Sequence, residues 1–234
     1  MGSCTRGNEN ASAIRARATI PLFAIALLAC VGSVATVAAE TAKSATSSSV
    51  QEQPLLGLDA VLGDLRKGGL VIYFRHAATE QTGPSDEGSD LKNCATQRNL
   101  SAEGRAQASQ IGQAFRALGI VVGTVTTSPF CRCADTANLA FGRFTVNNDL
   151  YFAINTDAER TKELADSLRK ALATSPPPGT NAVIVSHTAN LREAAGIWPK
   201  PEGAAYVFRP LSSGGFEVLA KVLPEDWINT AKRK

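Results

Sequence analysis

Two short apolar runs constrain this chain more than any other feature. Leu70, Val71, Ile72, Tyr73 and Phe74 lead directly into Arg75, His76 and Ala77. Ala182, Val183, Ile184, Val185 and Ser186 lead directly into His187. Uninterrupted β-branched and aromatic runs of this length predict buried strands. Buried parallel strands deliver functional side chains at their carboxyl ends. The chain has only two histidines. Two strands that each end in one of them are expected to bring both imidazoles to one edge of one sheet.

The surrounding pattern predicts how that sheet is covered. Residues 54–67 carry Leu55, Leu58, Val61, Leu62 and Leu65 at helical spacing, and Gly68-Gly69 supplies a stop. Residues 78–97 are polar and turn-rich, with Gly83, Pro84, Gly88 and Asn93. A long loop directly after a strand is expected to border the site. Ser101 is placed to cap a helix whose apolar face is Ala106, Ile111, Ala114, Phe115 and Leu118, ended by Gly119. A second strand is expected over 121–127, running into Ser128-Pro129. A helix over 130–141 follows, with Arg132 in its first turn, and another over 158–173. A short helix near 189–195 follows the second histidine. Residues 205–208 and 216–220, around Gly214-Gly215, read as a terminal hairpin. Alternating strands and helices predict an α/β fold. The expected form is a three-layer α/β/α sandwich with a mixed, mostly parallel sheet in a single domain, 54–234.

The N-terminal segment reads differently. Residues 1–19 are polar and basic, and 20–39 are almost uncharged and apolar, ending in Val37-Ala38-Ala39. That order is the layout of a secretory signal peptide, with cleavage expected after Ala39. An uncleaved membrane anchor is one alternative. Lipidation at Cys30, within Leu27-Leu28-Ala29-Cys30, is the other. Each version places the remainder outside the cytoplasm, with a periplasm expected. Residues 40–53 are Ser/Thr-rich and read as a disordered tether. The net charge of +3 comes largely from Arg6, Arg15 and Arg17 in the leader. The remainder is close to balanced and carries no electrostatic footprint for nucleic acid or for an anionic membrane surface. Contact with a membrane is expected only through residues 20–39 or a lipid on Cys30.

Cys94, Cys131 and Cys133 remain after the leader. Cys94 lies in the loop after the first strand, and Cys131 adjoins Arg132 after the second. Both belong near the same sheet edge, so a Cys94–Cys131 disulfide with Cys133 left as a thiol is expected. The alternative is three buried small apolar side chains. Cys131-x-Cys133 without a neighbouring histidine lacks the usual zinc spacing, and no metal is expected.

Arg75, His76, Arg132 and His187 should therefore converge. Two guanidiniums in one pocket match a tetrahedral oxyanion, because their forked donors fit phosphate oxygens. A histidine among cations is held neutral, and neutral imidazole is the nucleophilic form. A clamped phosphate facing that nitrogen is set up for in-line attack, with no cofactor required.

These residues also resemble a known family. Phe74-Arg75-His76-Ala77, Arg98-x-Leu100-Ser101-x-x-Gly104, Ser128-Pro129-x-x-Arg132-x-x-x-Thr136-Ala137 and Ser186-His187 follow the order of the histidine phosphatase superfamily motifs. The resemblance spans roughly 66–222 and implies the phosphoglycerate-mutase-like fold. It implies His76 as a nucleophile that becomes phosphohistidine, with Arg75, Arg132 and His187 around the phosphoryl group. Thr79, Arg98 and Thr188 fall where the resemblance places substrate contacts. The general acid departs from the family pattern: Thr188 stands where one branch has Asp. Asp149, Asp157 and Glu159 occupy the region where another branch has Glu, and Asp149 and Glu202 are the candidates carried forward. The expected activity is a metal-independent phosphomonoesterase acting on a small phosphorylated substrate, as a small exported bacterial enzyme. A non-catalytic phosphate- or phosphosugar-binding protein and a protein phosphohistidine phosphatase are the alternatives.

Overall fold

The computed structural model describes residues 54–234. The expected leader (1–39), the tether (40–53), and Cys4 and Cys30 lie outside the described residues. The described chain runs α1 (Leu58–Lys67), β1 (Val71–Arg75), α2 (Ala102–Leu118), β2 (Val122–Thr127), α3 (Cys131–Phe141) and β3 (Thr145–Val146). It continues through α4 (Ala158–Leu172), β4 (Asn181–Ser186), α5 (Thr188–Ala195), β5 (Ala205–Pro210), β6 (Phe216–Val222) and α6 (Pro224–Lys232). Single 3-10 turns lie at Cys94–Thr96, Asn148–Leu150 and Ala153–Asn155. Among the described residues, no helix is long and apolar enough to cross a membrane.

The six strands form one mixed sheet in the order β3-β2-β4-β1-β5-β6. The first four in that order are mutually parallel, and β5 and β6 are antiparallel additions. The alternation along β1 explains the two outer layers. Ile72 and Phe74 point to one face, against α1, α2, α3 and α6. Val71 and Tyr73 point to the other, against α4 and α5. A strand apolar on both faces must be covered on both, and the expected three-layer α/β/α sandwich is the architecture observed.

Two elements have no counterpart in the sequence reading. β3 is only two residues long, too short to carry a period. α6 begins at Pro224, where proline's fixed φ suits a first turn, and Asp226 accepts from the Leu223 amide at 2.8 Å. It buries Trp227 completely, with ring centroids 4.6 Å from Phe115.

The register positions the site. Arg75 lies opposite Ser186, so β1 and β4 end level with each other. Thr127 lies opposite Val185, so β2 ends beside them. Three chain exits therefore open at one edge of adjacent strands. The helix starts are fixed locally. The Ser101 hydroxyl accepts from Gly104 N at 3.0 Å, as an N-cap should. Gly104 packs directly on the Ala78 carbonyl, where a Cβ would collide with backbone. The first turn of α2 thus rests on the segment that follows His76.

Candidate active site

His76 leaves β1 with its amide donating to Ser186 O at 3.0 Å and its carbonyl accepting from Gly203 N at 2.8 Å. The Ala77 amide donates to Thr136 Oγ1, whose hydroxyl donates to Arg132 O. These bonds lock the end of β1 to α3 and to the turn before β5. The His76 side chain is 2% exposed. Its Nδ1 lies 3.0 Å from Ala77 O, which can only accept, so Nδ1 carries the proton. The lone pair is left on Nε2.

His187 takes the opposite tautomer. Its Nδ1 lies 3.2 Å from Arg132 Nη2, which can only donate, so Nδ1 carries the lone pair. Nε2 then donates to Ser128 Oγ at 2.7 Å. The Tyr73 hydroxyl donates to His187 O at 2.6 Å and holds the strand end. The two imidazoles meet edge to face with centroids 5.6 Å apart. Burial, followed by the Arg132 charge, holds both histidines well below the usual imidazole range. For His76 the bond to Ala77 O works the other way but does not prevail. Both rings are neutral at physiological pH.

Arg132 is fully buried in the first turn of α3. Its guanidinium carbon lies 4.6 Å from the Phe130 ring centroid and 5.4 Å from that of Phe152, a cation–π pair on two rings. The same rings flank His187. This aromatic wall keeps water from the two groups and strengthens their electrostatics. Arg132 Nη1 donates to Asp86 Oδ1 at 2.7 Å. Arg75 donates from Nη2 to Glu202 Oε1 at 3.0 Å. Burial draws the Arg75 guanidinium below its ordinary value, with Glu202 opposing.

Three guanidinium nitrogens, Nε of Arg75, Arg98 and Arg132, are buried without a hydrogen-bond partner. All three arginines press positive charge on His76 and His187. Unpaired buried donors are destabilising, and three around one pair of histidines point to an anionic ligand. Beside them lies a cleft of about 730 Å³, lined by residues 84–89, Arg98, Tyr151, Phe152, Ile154 and Asn155. Asp86 borders both this cleft and Arg132.

The other expected site residues are distributed unevenly. Arg98 lines the cleft. Thr79 is buried and engaged with Glu202, which accepts from Thr79 N at 2.9 Å and from Thr79 Oγ1 at 3.0 Å. Thr188 is the first residue of α5 and makes no side-chain hydrogen bond among the described residues. Asp149 is not brought to the pocket. Its carboxylate pairs with Arg160 and Ser167 of α4, in a half-exposed ion pair. Glu202 reaches the site, but its carboxylate is fully engaged as an acceptor. Every group it contacts is a donor, and it braces Arg75 and Thr79.

Cys94 and Cys131 form a disulfide, with Cα atoms 5.7 Å apart and a sequence separation of 37. Cys133 is a buried thiol. Its Sγ packs 3.7 Å from His187 Nε2, and burial pushes its pKa up to about 12. The sequence reading misses Gln97 and Asp86. Gln97 is fully buried, accepts from Cys131 N at 2.9 Å and donates to Asp90 O at 3.0 Å. The signal was available in outline, since both lie in the turn-rich stretch expected to border the site. An acidic residue in such a stretch reads as solvated charge until its partner is known.

These features define a buried oxyanion pocket beside two neutral histidines. Residues 71–155 match the family model of the histidine phosphatase superfamily (branch 1). That match covers the segment bearing Arg75, His76 and Arg132. His187 lies beyond the match and is joined to the site by geometry. No curated protein matches the chain. Solved structures similar to it include the protein histidine phosphatase SixA complexed with tungstate, 15% identical. That alignment covers 67% of this chain and 98% of that one, with a TM-score of 0.46. A phosphoserine phosphatase from Entamoeba histolytica in complex with phosphoserine is 13% identical, covering 67% and 98%, with a TM-score of 0.47. A mycobacterial glucosyl-3-phosphoglycerate phosphatase is 13% identical, covering 65% and 98%, with a TM-score of 0.48.

Proposed function

We propose that this protein is a phosphomonoesterase that works through phosphohistidine at His76. The observation that carries the reading is the unprotonated His76 Nε2 set among buried guanidiniums with unmet N–H donors. Phosphate oxygens satisfy those donors. Positioning by the clamp and charge neutralisation on the transferring oxygens supply the two main contributions to phosphoryl transfer. His76 Nε2 attacks phosphorus and the ester oxygen leaves. Water then attacks the phosphohistidine and releases phosphate. The Ala77 carbonyl, which fixes the Nδ1 proton, stabilises the positive ring that forms on phosphorylation. The matched family segment supports the same reaction class.

The Cys94–Cys131 disulfide supports an oxidising compartment, and the apolar run at 20–39 supports export. We therefore assign the enzyme to the periplasm or an equivalent exported location. The test is hydrolysis of p-nitrophenyl phosphate by the full chain in EDTA, with His76→Ala as control. Turnover and an acid-labile, base-stable phosphoenzyme are expected from the wild type, with both lost in the variant. Phosphate or vanadate binding without turnover on any monoester would identify a binding protein instead.

A further inference from the structure

The reaction above requires a proton on the leaving oxygen, and neither Asp149 nor Glu202 is placed to give it. A third carboxylate meets the site directly. Asp86 Oδ1 lies 2.7 Å from Arg132 Nη1, with the arginine side chain 0% exposed and the aspartate 11%. The same aspartate lines the cleft. It therefore stands between the phosphate-binding donors and the space open to the rest of a substrate.

A carboxylate oxygen and a phosphate oxygen compete for the same guanidinium donor. Phosphate entering beside His76 must take Arg132 Nη1 from Asp86. The geometry points to Asp86 as the general acid–base of the reaction: its carboxylate covers Arg132 in the empty site, yields it to phosphate, and protonates the leaving oxygen from the cleft side. This assignment rests on the phosphohistidine reading. The proton arrives with the substrate: a monoester bound as its monoanion hands its acidic proton to the Asp86 carboxylate as its oxygens take Arg132.

The movement required is small because the segment is held at several points. Asp86 O accepts from Asn155 Nδ2 at 3.3 Å, across the cleft. Downstream, Gln97 bridges Asp90 O and Cys131 N, and the Cys94–Cys131 disulfide ties the segment to α3. A turn of the Asp86 side chain transfers the carboxyl from Arg132 to the leaving group without opening the whole loop.

The steps balance. The His76 Nε2–P bond forms as the P–O bond to the alcohol breaks, and the Asp86 proton goes to that oxygen. Asp86 is then a carboxylate. Water attacks phosphorus, the P–N bond breaks, and the proton lost by water returns to Asp86. His76 is regenerated neutral, and inorganic phosphate leaves as its monoanion with that proton, returning Asp86 to the carboxylate that covers Arg132.

The experiment compares wild type and Asp86→Asn on an alkyl monoester and on 2,4-dinitrophenyl phosphate, with phosphoenzyme trapped by acid-independent quench. Asparagine keeps a hydrogen-bond acceptor for Arg132 while removing the counter-charge. Asp86→Ser serves as a second variant, and circular dichroism reports folding of both. The expected loss in kcat/KM on the alkyl ester is on the order of 100-fold or more, the range of general acid catalysis. The loss on the activated ester should be far smaller, because dinitrophenolate needs no proton to leave. Phosphoenzyme should still form and should accumulate, because its hydrolysis has lost the base. Equal losses on both esters, or unchanged or faster turnover of the alkyl ester, would overturn the assignment while leaving His76 intact. Absence of phosphoenzyme and turnover in the wild type would instead remove the phosphohistidine reading itself.

Discussion

Glu202→Gln tests whether that carboxylate braces Arg75 or donates a proton. Oε1 accepts from both Arg75 Nη2 and Thr79 Oγ1, and Oε2 accepts from Thr79 N. A glutamine has one oxygen and one NH2 group to replace them. Placed at the Oε2 position, the NH2 opposes the Thr79 amide. Placed at Oε1, it opposes the guanidinium. Either orientation sets donor against donor. The Arg75 and Glu202 side chains are 18% and 15% exposed, so the pair lies between a surface and a fully buried one. Surface pairs contribute about 0–1 kcal/mol, and breaking a fully buried pair costs about 3–5 kcal/mol. An unmet buried donor costs about 1–3 kcal/mol, so a loss of about 2 kcal/mol in urea unfolding is expected. If Arg75 loses the same amount of hold on the transition state, kcat/KM falls by about 30-fold. That fall should be the same for alkyl and dinitrophenyl esters, since under the proposed reaction both present the same phosphate to Arg75. Unchanged stability, with a loss confined to alkyl esters, would refute the bracing role and make Glu202 the proton donor.

Both histidines should stay neutral well below about pH 6.5, the ordinary imidazole value, in the unliganded protein, read from their two imidazole NMR signals. A native pKa at or above that value for either would contradict the buried, cation-flanked geometry. The sign for stability follows by linkage: below about pH 6.5 the unfolded chain binds protons that the native rings refuse. Stability is therefore fully present above that pH and falls with acidification, by up to about 2.7 kcal/mol per pH unit for two sites. The same acid slope in a His76→Gln, His187→Gln double variant would show that other groups cause it. Cys94→Ser with Cys131→Ser should lower stability by about 4 kcal/mol at most, the loop-closure value for a separation of 37. A calorimetric midpoint equal to wild type would show that the crosslink constrains nothing. Gly104→Ala must displace the Ala78 carbonyl and should cost about 1–3 kcal/mol, measured by denaturant unfolding. No change there would mean that α2 does not seat directly on the segment after His76.

The parts of the molecule legible in sequence are those with a strong local period. β1 and β4 are apolar on both faces, and their ends in Arg75-His76 and Ser186-His187 are visible as abrupt changes of chemistry. Their level pairing follows from register and brings His76 and His187 within one pocket. α2 was legible from Ser101 and Gly119, one capping with a hydroxyl and the other with a left-handed turn. α6 was not, because Trp227 and Ile228 alone make no stripe, although Pro224 and the acids behind it mark a first turn. The carboxylates were least legible. Asp86, Asp149 and Glu202 are alike in one dimension, and only their partners separate them. Asp149 found a cation on α4, Glu202 found Arg75, and Asp86 found the cation at the centre of the pocket.

That separation has a physical consequence for the empty site. Arg132 is buried between two aromatic rings, where an uncompensated guanidinium is strongly destabilising. The fold tolerates it because Asp86 supplies a counter-charge. Arg75 has a permanent counter-charge in Glu202, fixed at the turn before β5. One guanidinium is thus held in place by a carboxylate with three donors, and the other is covered by a carboxylate with a single side-chain contact, to that arginine. Only the second arrangement can exchange a protein anion for a substrate anion without dismantling the pocket. The two acid–arginine pairs look equivalent as ion pairs, but one builds the clamp and the other operates it.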